Sequence, residues 1–331
     1  MLSPITASLL SNVLSRYPLS DPRIVGALEA SKRNDNFLVE DASGDRYVLR
    51  RYRRNIEERR VDFQLRFQQH LRRCGFPTSK VVETSLGTPL VICEGAPWAL
   101  FTYIEGAEYD FGRIKQVIGA ARRLAQFHTV TDTFRHQEVI IDTNPRLRRW
   151  WTNGEKELQE LEAMFAGHGV DDDLSYVRNW WSELLREWTL ARLDALPVGW
   201  VHGDYHGRNM VFVDDELRGV FDFDVVHRGP MIEDIAHALF TFGRESRGSP
   251  HIRAEVARLF LGEYARHKPL EKEERDALPM MTVLEWAPSA PYYALLRRDG
   301  EEPALFLQQH ASLMRHMRSE MARLGPIFTT E

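Results

Sequence analysis

The chain has 331 residues, of which 43% are hydrophobic and 27% are charged, and its formal net charge is −5. These values are typical of a globular protein with one large or two moderate domains. The acidic balance argues against a nucleic-acid partner, because proteins that bind nucleic acid are usually basic.

Nothing in the sequence predicts a membrane segment. Residues 1–19 lack basic residues before their apolar positions, so they indicate a short amphipathic helix and no signal peptide. The apolar window 278–296 contains three prolines and Glu285, so it is not expected to span a bilayer. Two cysteines give no disulfide framework, and a cytoplasmic monomer or homodimer without a membrane partner is expected.

The first fifty residues predict a helix followed by antiparallel strands. The stretch 24–40 predicts a strand, a turn and a second strand, and a polar turn then leads into a third strand that ends at Arg50. Val48 and Arg50 share one face of this strand, because successive side chains alternate. Lys32 lies in the first turn, where it and the backbone N–H groups could meet phosphate, and a solvated surface turn is the alternative.

A helix over 56–74 comes next and ends at Gly75 and Pro77, as helix-stop signals predict. Two more strands follow, after which the chain is mostly helical. The strands are predicted over 90–93 and 98–103, and the later helices over 114–128, 174–196, 252–267, 271–296 and 304–324.

A β-hairpin is predicted between two of these helices. Apolar runs over 210–213 and 219–223 flank a polar turn, and a polar loop precedes the first strand. This arrangement brings Asp204, Asn209 and Asp222 to one mouth of the hairpin. Three such side chains offer oxygen atoms, which are the ligands that Mg²⁺ prefers.

The spacing of these residues is that of a phosphoryl-transfer site. His-x-Asp-x-x-x-x-Asn followed by Asp-Phe-x supplies a base, a metal-binding Asn and a metal-binding Asp. With Gly203 between His202 and Asp204, the pattern resembles the aminoglycoside phosphotransferase, choline kinase and homoserine kinase-like family. The run 229–236, which contains Asp234, resembles the Gly-Asp-Pro…Asp-Leu-Ala run of that family.

The resemblance implies an α+β, protein-kinase-like fold with two lobes. Residues 1–103 would form a small antiparallel β-sheet lobe that binds the nucleotide. Residues 104–331 would form a larger, mostly helical lobe, which contains the catalytic hairpin 200–224 and the acceptor-site helices. Asp234 and His128 are expected to have structural roles.

The resemblance also implies ATP- and Mg²⁺-dependent phosphorylation of a hydroxyl group on a small molecule of the aminoglycoside, amino alcohol, homoserine or sugar type. Asp204 would accept or orient the proton of the acceptor hydroxyl, and Asn209 and Asp222 would hold Mg²⁺. Arg208 is the residue expected to touch the acceptor or the γ-phosphate.

In the nucleotide lobe the family places a Lys where Arg50 stands, and its Glu partner falls at Gln64. Residues 102–106 resemble the family's hinge between the lobes. Adenine would be held there by main-chain groups, namely the carbonyl of Thr102 and the N–H of Ile104. The residues expected to bind the nucleotide are therefore Lys32, Val48, Arg50, Thr102 and Ile104.

The acceptor is open at this stage. Several acidic and aromatic residues near the end of the chain are candidates to meet an amine: Glu271, Glu273, Glu274, Glu285, Tyr292 and Tyr293. A kinase for protein Ser/Thr, a nucleotide-binding regulatory protein without turnover, and a structural interaction protein are the alternative functions.

Overall fold

The structure is a computed structural model that describes residues 5–28, 34–53, 57–135 and 145–329. The chain divides into two compact units. The first, called the β-rich unit, comprises Met1–Tyr109, Thr129–Ile140 and Gly207–Val225, and the second, called the helical unit, comprises Asp110–His128, Ile141–His206 and Val226–Glu331. The strands are β1 (Arg23–Ala27), β2 (Asn34–Glu40), β3 (Arg46–Tyr52), β4 (Val81–Val82), β5 (Val91–Cys93), β6 (Ala96–Thr102), β7 (Val198–Val201), β8 (Met210–Val213), β9 (Glu216–Val220) and β10 (His227–Pro230).

The helices account for most of the remaining chain. They are α1 (Ala7–Leu14), α2 (Glu58–Arg73), α3 (Ile114–Val130), α4 (Pro145–Thr152), α5 (Gly154–Phe165), α6 (Asp171–Glu187), α7 (Leu190–Asp194), α8 (Ile232–Gly243), α9 (Ala254–His267), α10 (Lys272–Leu284), α11 (Ala290–Arg298) and α12 (Pro303–Thr329). None of the described helices combines the length and the apolar character that crossing a bilayer requires.

The β-rich unit is built on a six-stranded antiparallel sheet. Its order is β1-β2-β3-β6-β4, and β5 pairs with β6. Leu49 of β3 packs in a core cluster with residues of α1, whereas Val48 packs against a separate cluster that contains Val61 and Leu65 of α2. The alternation predicted for β3 is therefore confirmed, and Arg50 lies on the face of Val48.

The hairpin formed by β8 and β9 also belongs to this unit, but its second strand differs from the prediction. The strand was expected over 219–223, and it ends at Val220. Asp222 adopts a positive φ of 63°, which a β-strand cannot contain. The sequence of apolar residues continues past Val220, so the pattern alone could not show where the backbone turns.

In the helical unit, two predicted long helices are each divided in two. The stretch 174–196 contains most of α6 and all of α7, and 271–296 contains α10 and most of α11. A hydroxyl side chain caps each second helix, because Thr189 accepts from the N–H of Arg192 and Ser289 from that of Tyr292. These caps start new helices that apolar spacing alone did not separate.

A buried carboxylate connects three elements of the helical unit. Asp234, in the first turn of α8, accepts the backbone N–H of His202 at 2.7 Å and that of Gly203 at 2.8 Å. Nε2 of His128, on α3, lies 3.1 Å from Oδ2 of Asp234, and both side chains are fully buried. The other ring nitrogen of His128 lies 2.8 Å from the hydroxyl of Tyr264.

This network confirms the structural roles expected for Asp234 and His128. Burial acts to raise the pKa of Asp234, but the hydrogen bond and charge of His128, with the N–H of His202, hold it below its ordinary value. The carboxylate is therefore charged, and it fixes the backbone of the segment that leads into Asp204.

We expect Asp234→Asn to lower the free energy of unfolding by about 2–4 kcal/mol, because an amide NH₂ would face N–H donors inside the protein. The measurement is urea denaturation followed by circular dichroism. Asp276→Asn is the matched control, since Asp276 makes an exposed i,i+4 pair with Lys272 at 2.6 Å. Its effect should stay below about 1 kcal/mol.

The contribution of Asp234 to the free energy of unfolding should depend on pH. Because the pKa of Asp234 is lower in the folded chain, the unfolded chain takes up the proton first as the pH falls. The contribution is complete above about pH 4 and is lost as the pH falls towards the folded pKa. The charged state assigned to Asp234 would be contradicted if wild type and Asp234→Asn differed in free energy of unfolding by the same amount at all acidic pH values.

Candidate functional site

A cavity of about 270 Å³ lies in the β-rich unit, and it contains most of the residues expected to bind the nucleotide. Apolar side chains make up much of its wall, including Leu28, Phe101, Val211 and Phe221. Such a wall suits a flat aromatic base, because the free energy falls when the apolar faces of the base leave water. The predicted residues that line it are Val48, Arg50, Thr102, Ile104 and Asp222. Lys32 lies outside the described residues.

The hinge segment is fixed by backbone hydrogen bonds on both sides. The N–H of Thr102 donates to the carbonyl of Lys80, and the N–H of Lys80 donates to the Thr102 hydroxyl, each at 2.9 Å. Beyond the hinge, Ala107 and Phe212 exchange two backbone hydrogen bonds of 2.8 Å. Gly106 permits this pairing, because a Cβ at its φ of +153° would lie 2.5 Å from the carbonyl oxygen of Phe212.

Arg50 is held in the cavity by oxygen atoms from two segments. Its Nε donates to Oδ1 of Asn36 at 3.1 Å, and its NH1 lies 3.7 Å from Oδ1 of Asp224. Asn34 donates to the other oxygen of Asp224 at 3.0 Å. Burial acts to lower the pKa of Arg50, but the nearby phenol of Tyr52 and the charge of Asp224 raise it above its ordinary value, and the guanidinium stays charged.

Gln64 does not pair with Arg50. Its side-chain NH₂ donates to the main-chain carbonyl of Asp224 at 3.0 Å, and Arg60 donates to the same carbonyl at 3.2 Å. The acidic partner of Arg50 is therefore Asp224, while Gln64 on α2 fixes the backbone that carries it. Arg50 and Gln64, which stand where the resemblance places a Lys–Glu pair, are thus not paired with each other in this chain.

The two predicted metal ligands lie at the open end of the hairpin. Asn209 ends a short 3₁₀ turn (Gly207–Asn209), and its carbonyl accepts the N–H of Phe221 at 2.9 Å, one residue before Asp222. Asp222 has the left-handed φ of 63°, a conformation that costs energy for a residue with a side chain. A carboxylate and a carboxamide are suitable ligands for Mg²⁺, so these residues fit that ion.

Phe223 holds this strained segment in place. Its ring is buried, and it packs 6.0 Å from the ring of Phe67 on α2, which in turn lies 5.0 Å from that of Phe134. The middle residue of Asp-Phe-Asp therefore anchors the segment in an aromatic cluster. The two acidic side chains on either side of it both line the cavity.

Asp204 belongs to the helical unit, where its surroundings are rich in imidazole groups. Oδ1 of Asp204 lies 3.2 Å from Nε2 of His206. Burial acts to raise the pKa of Asp204, but this hydrogen bond and the charges of His206 and His237 hold it well below its ordinary range. The side chain is a carboxylate that can accept a hydrogen bond from a hydroxyl group.

His237 extends this cluster to a second carboxylate. Its ring centre lies 5.9 Å from that of His206, and its Nδ1 makes a hydrogen bond with Glu285. Burial acts to lower the pKa of His237, but the charge and hydrogen bond of Glu285, with the charge of Asp204, raise it above its ordinary value. Oε2 of Glu285 and Nε2 of His237 are buried and have no hydrogen-bond partner among the described residues.

Aromatic side chains continue from Glu285. The ring of Trp286 packs edge to face against Phe240 at 4.9 Å and lies 6.4 Å from that of His310. The hydroxyl of Tyr293 lies 2.6 Å from Nδ1 of His310. Polar and aromatic groups thus follow one another in this part of the helical unit.

The structure separates the acidic residues that were candidates to meet an amine. Glu271 and Glu274 form the capping box of α10, and Glu273 is exposed in its first turn. Glu285, which follows the end of this helix, is the one that contacts His237. The last sequence-predicted residue, Arg208, lies exposed on the 3₁₀ turn before β8.

Sequence reasoning missed His237, Asn34 and Asn36. His237 is a single ring with nitrogen atoms in an otherwise apolar stretch of α8, and that contrast was the available signal. Asn34 and Asn36 were predicted to lie in the turn before the second strand, but they belong to β2. Only the pairing of β2 with β3 places Asn36 opposite Arg50. The pairing is tertiary information that no local pattern contains.

The sequence of this chain matches a known protein family and is similar to curated proteins. The model of the Phosphotransferase enzyme family matches residues 26–270. A homoserine kinase of Sinorhizobium medicae (strain WSM419) is 23% identical over 321 residues, which cover 94% of each chain.

Two solved structures share the fold. The amicoumacin kinase hAmiN in complex with AMP-PNP, Ca²⁺ and Ami superposes with a TM-score of 0.70 at 16% identity, covering 96% of this chain and 94% of that one. The microcompartment-associated aminopropanol kinase gives a TM-score of 0.69 at 16% identity, with coverage of 98% and 99%. The predicted fold, a small antiparallel β-sheet lobe with a larger helical lobe, is confirmed. The chain belongs to the Phosphotransferase enzyme family, as its His-Gly-Asp motif and its Asp-Phe-Asp segment predicted.

Proposed function

We propose that this protein transfers the γ-phosphoryl group of ATP, with Mg²⁺, to a hydroxyl group of a small amine-bearing molecule. The observation that carries the proposal is the motif itself, with Asp204 as a carboxylate of low pKa and Asp222 turned into the nucleotide cavity. The relatives named homoserine kinase and aminopropanol kinase support an amino alcohol or amino acid acceptor. The complex of hAmiN with AMP-PNP and Ca²⁺ supports ATP and a divalent ion.

In the proposed reaction, Asp204 orients the acceptor hydroxyl and takes its proton late in the transfer. The acceptor oxygen forms a bond with the γ-phosphorus as the bond to the β–γ bridging oxygen breaks, and ADP leaves. The low pKa of Asp204 makes it a weak base, which suits a loose transition state with little early proton transfer. His206 fixes its orientation through Oδ1.

In the β-rich unit, Asn209 and Asp222 would hold Mg²⁺, and Arg50 would donate to phosphate oxygens. When bound, Mg²⁺ neutralises charge on the phosphates. Arg50 is positioned for its role by Asn36 and Asp224, which hold the guanidinium in the cavity before the nucleotide arrives. Val48 and the hinge from Thr102 to Ile104 would enclose the base.

The acceptor is proposed to place its amine at Glu285. A buried carboxylate oxygen without a hydrogen-bond partner among the described residues is a strong acceptor for an ammonium group. Arg208 is retained as a candidate to meet the transferred phosphoryl group. A cytoplasmic monomer or homodimer and the lobe boundary at residue 103 also stay predictions.

The first prediction from this proposal distinguishes the roles of the two aspartates of the motif. Asp204→Asn should lower turnover by about 10²- to 10⁴-fold and leave Mg–nucleotide binding intact, because it removes the proton acceptor. Asp222→Asn should weaken Mg–AMP-PNP binding itself. The measurements are ADP release and isothermal titration calorimetry.

Acceptors for this assay should include homoserine, amino alcohols, aminoglycosides, sugars and a generic protein substrate. Wild-type turnover by both variants would refute the assignment of the motif. Activity on the protein substrate alone would favour the Ser/Thr protein kinase, and nucleotide binding without turnover on any acceptor would favour a regulatory protein.

The second prediction concerns the cation in the nucleotide cavity. Arg50→Ala should raise the KM for ATP severalfold, and Arg50→Lys should raise it less, because Lys keeps the charge but loses the two-pronged geometry. Arg53→Ala is the matched control, since Arg53 follows the same strand and makes an exposed pair with Asp35 at 3.0 Å. A KM for ATP unchanged in Arg50→Ala would remove Arg50 from the site.

The third prediction tests the acceptor amine. Glu285→Gln should raise the KM for an amine-bearing acceptor by about tenfold, which corresponds to about 1.4 kcal/mol of lost interaction, with the KM for ATP unchanged. Glu273→Gln, in the first turn of α10, is the control. An equal rise in KM for acceptors with and without an amine would show that Glu285 maintains the structure of the site and does not bind the amine.

A further inference from the structure

Two histidines and a glutamate, none of which is assigned to the reaction, lie together in the helical unit. His316 and Glu320 are four positions apart on α12, so they share one face of that helix. His251 lies in the segment before α9, next to Ile252. The atoms that could ligate a metal ion, one from each side chain, all lie within 4.8 Å of one another.

The charge and contacts of Glu320 suit a ligand. The residue is buried, and its carboxylate accepts the N–H of Ile252 at 3.0 Å and the guanidinium of Arg323 at 2.6 Å. These bonds fix the orientation of the carboxylate, in the way that outer-shell groups fix metal ligands.

The two histidines supply ring nitrogen atoms close to this carboxylate. Nδ1 of His251 lies 3.7 Å from Oε1 of Glu320, and the rings of His251 and His316 are 4.7 Å apart at 80°. Nε2 of His316 is buried, and no hydrogen-bond partner for it is present in the described part of the chain. A buried ring nitrogen of this kind is costly unless it meets a ligand.

We propose that His251, His316 and Glu320 form a binding site for a divalent transition-metal ion, of which zinc is the best match. Two imidazole nitrogens and one carboxylate oxygen are a common zinc ligand set, with water in the fourth position. Nitrogen ligands disfavour Mg²⁺, so the site is chemically distinct from the oxygen ligands of the proposed reaction.

The geometry needs only a small adjustment to hold the ion. Two atoms bound to one zinc at about 2.1 Å in a tetrahedron lie about 3.4 Å apart. His251 can close most of the remaining distance by rotating, because 59% of its side chain is exposed. The bound ion would connect the segment before α9 to α12, which stabilises the folded helical unit by mass action.

The test is titration of the full chain, freed of metal with EDTA and dialysed, with zinc chloride. Calorimetry should show one saturable equivalent, and zinc should raise Tm. His316→Ala and His251→Ala should each weaken binding by at least about tenfold and remove the rise in Tm. His267→Ala is the matched control, because His267 lies 3.3 Å from Glu263 in an i,i+4 pair and should leave both results unchanged.

Two results would overturn the proposal. One is the absence of saturable zinc binding to the wild-type chain. The other is binding that persists undiminished in both variants, which would locate the ion at other imidazoles, such as those of His206 and His237. His251 is exposed, so its variant gives a decision even if His316→Ala fails to fold.

Discussion

The buried carboxylate of Asp234 is the constraint on which the helical unit's part of the site depends. It receives two backbone N–H groups from the segment that precedes Asp204 and pairs with His128 on another helix. A charge buried in this way must keep its donors, since leaving it unpaired would cost several kcal/mol. The same bonds therefore fix the fold and the position of Asp204, so a structural defect and a loss of activity are expected to share one cause.

In the β-rich unit, too, one short segment both stabilises the fold and supplies residues of the cavity. Asp222 and Asp224 flank a phenylalanine that is anchored among aromatic rings, and both line the cavity. Asp222 takes the strained conformation that turns it there, while Asp224 supplies the acidic partner of Arg50. The acidic partner of Arg50 thus comes from the segment after the hairpin, and Gln64 of α2 donates to the main chain of that segment.

Much of the fold was predicted correctly because short-range patterns determine it. Alternation on β3 placed Val48 and Arg50 on one face, and both residues line the cavity of the β-rich unit. The errors have a common origin. The end of β9, the division of the long helices at Thr189 and Ser289, and the partner of Arg50 each depend on a backbone angle, a cap or a strand pairing that apolar spacing does not encode.

The sequence by itself determined the family, the order of its elements and the identity of the motif residues, because a fixed spacing of Asp204, Asn209 and Asp222 is a local property of the chain. The tertiary structure decided which charges meet. It brought His237 to Glu285, gave Arg50 the partner Asp224, and joined His251 to two residues of α12. The physical reason is that the potential at a side chain depends on distance and burial, and folding sets both by bringing remote segments together.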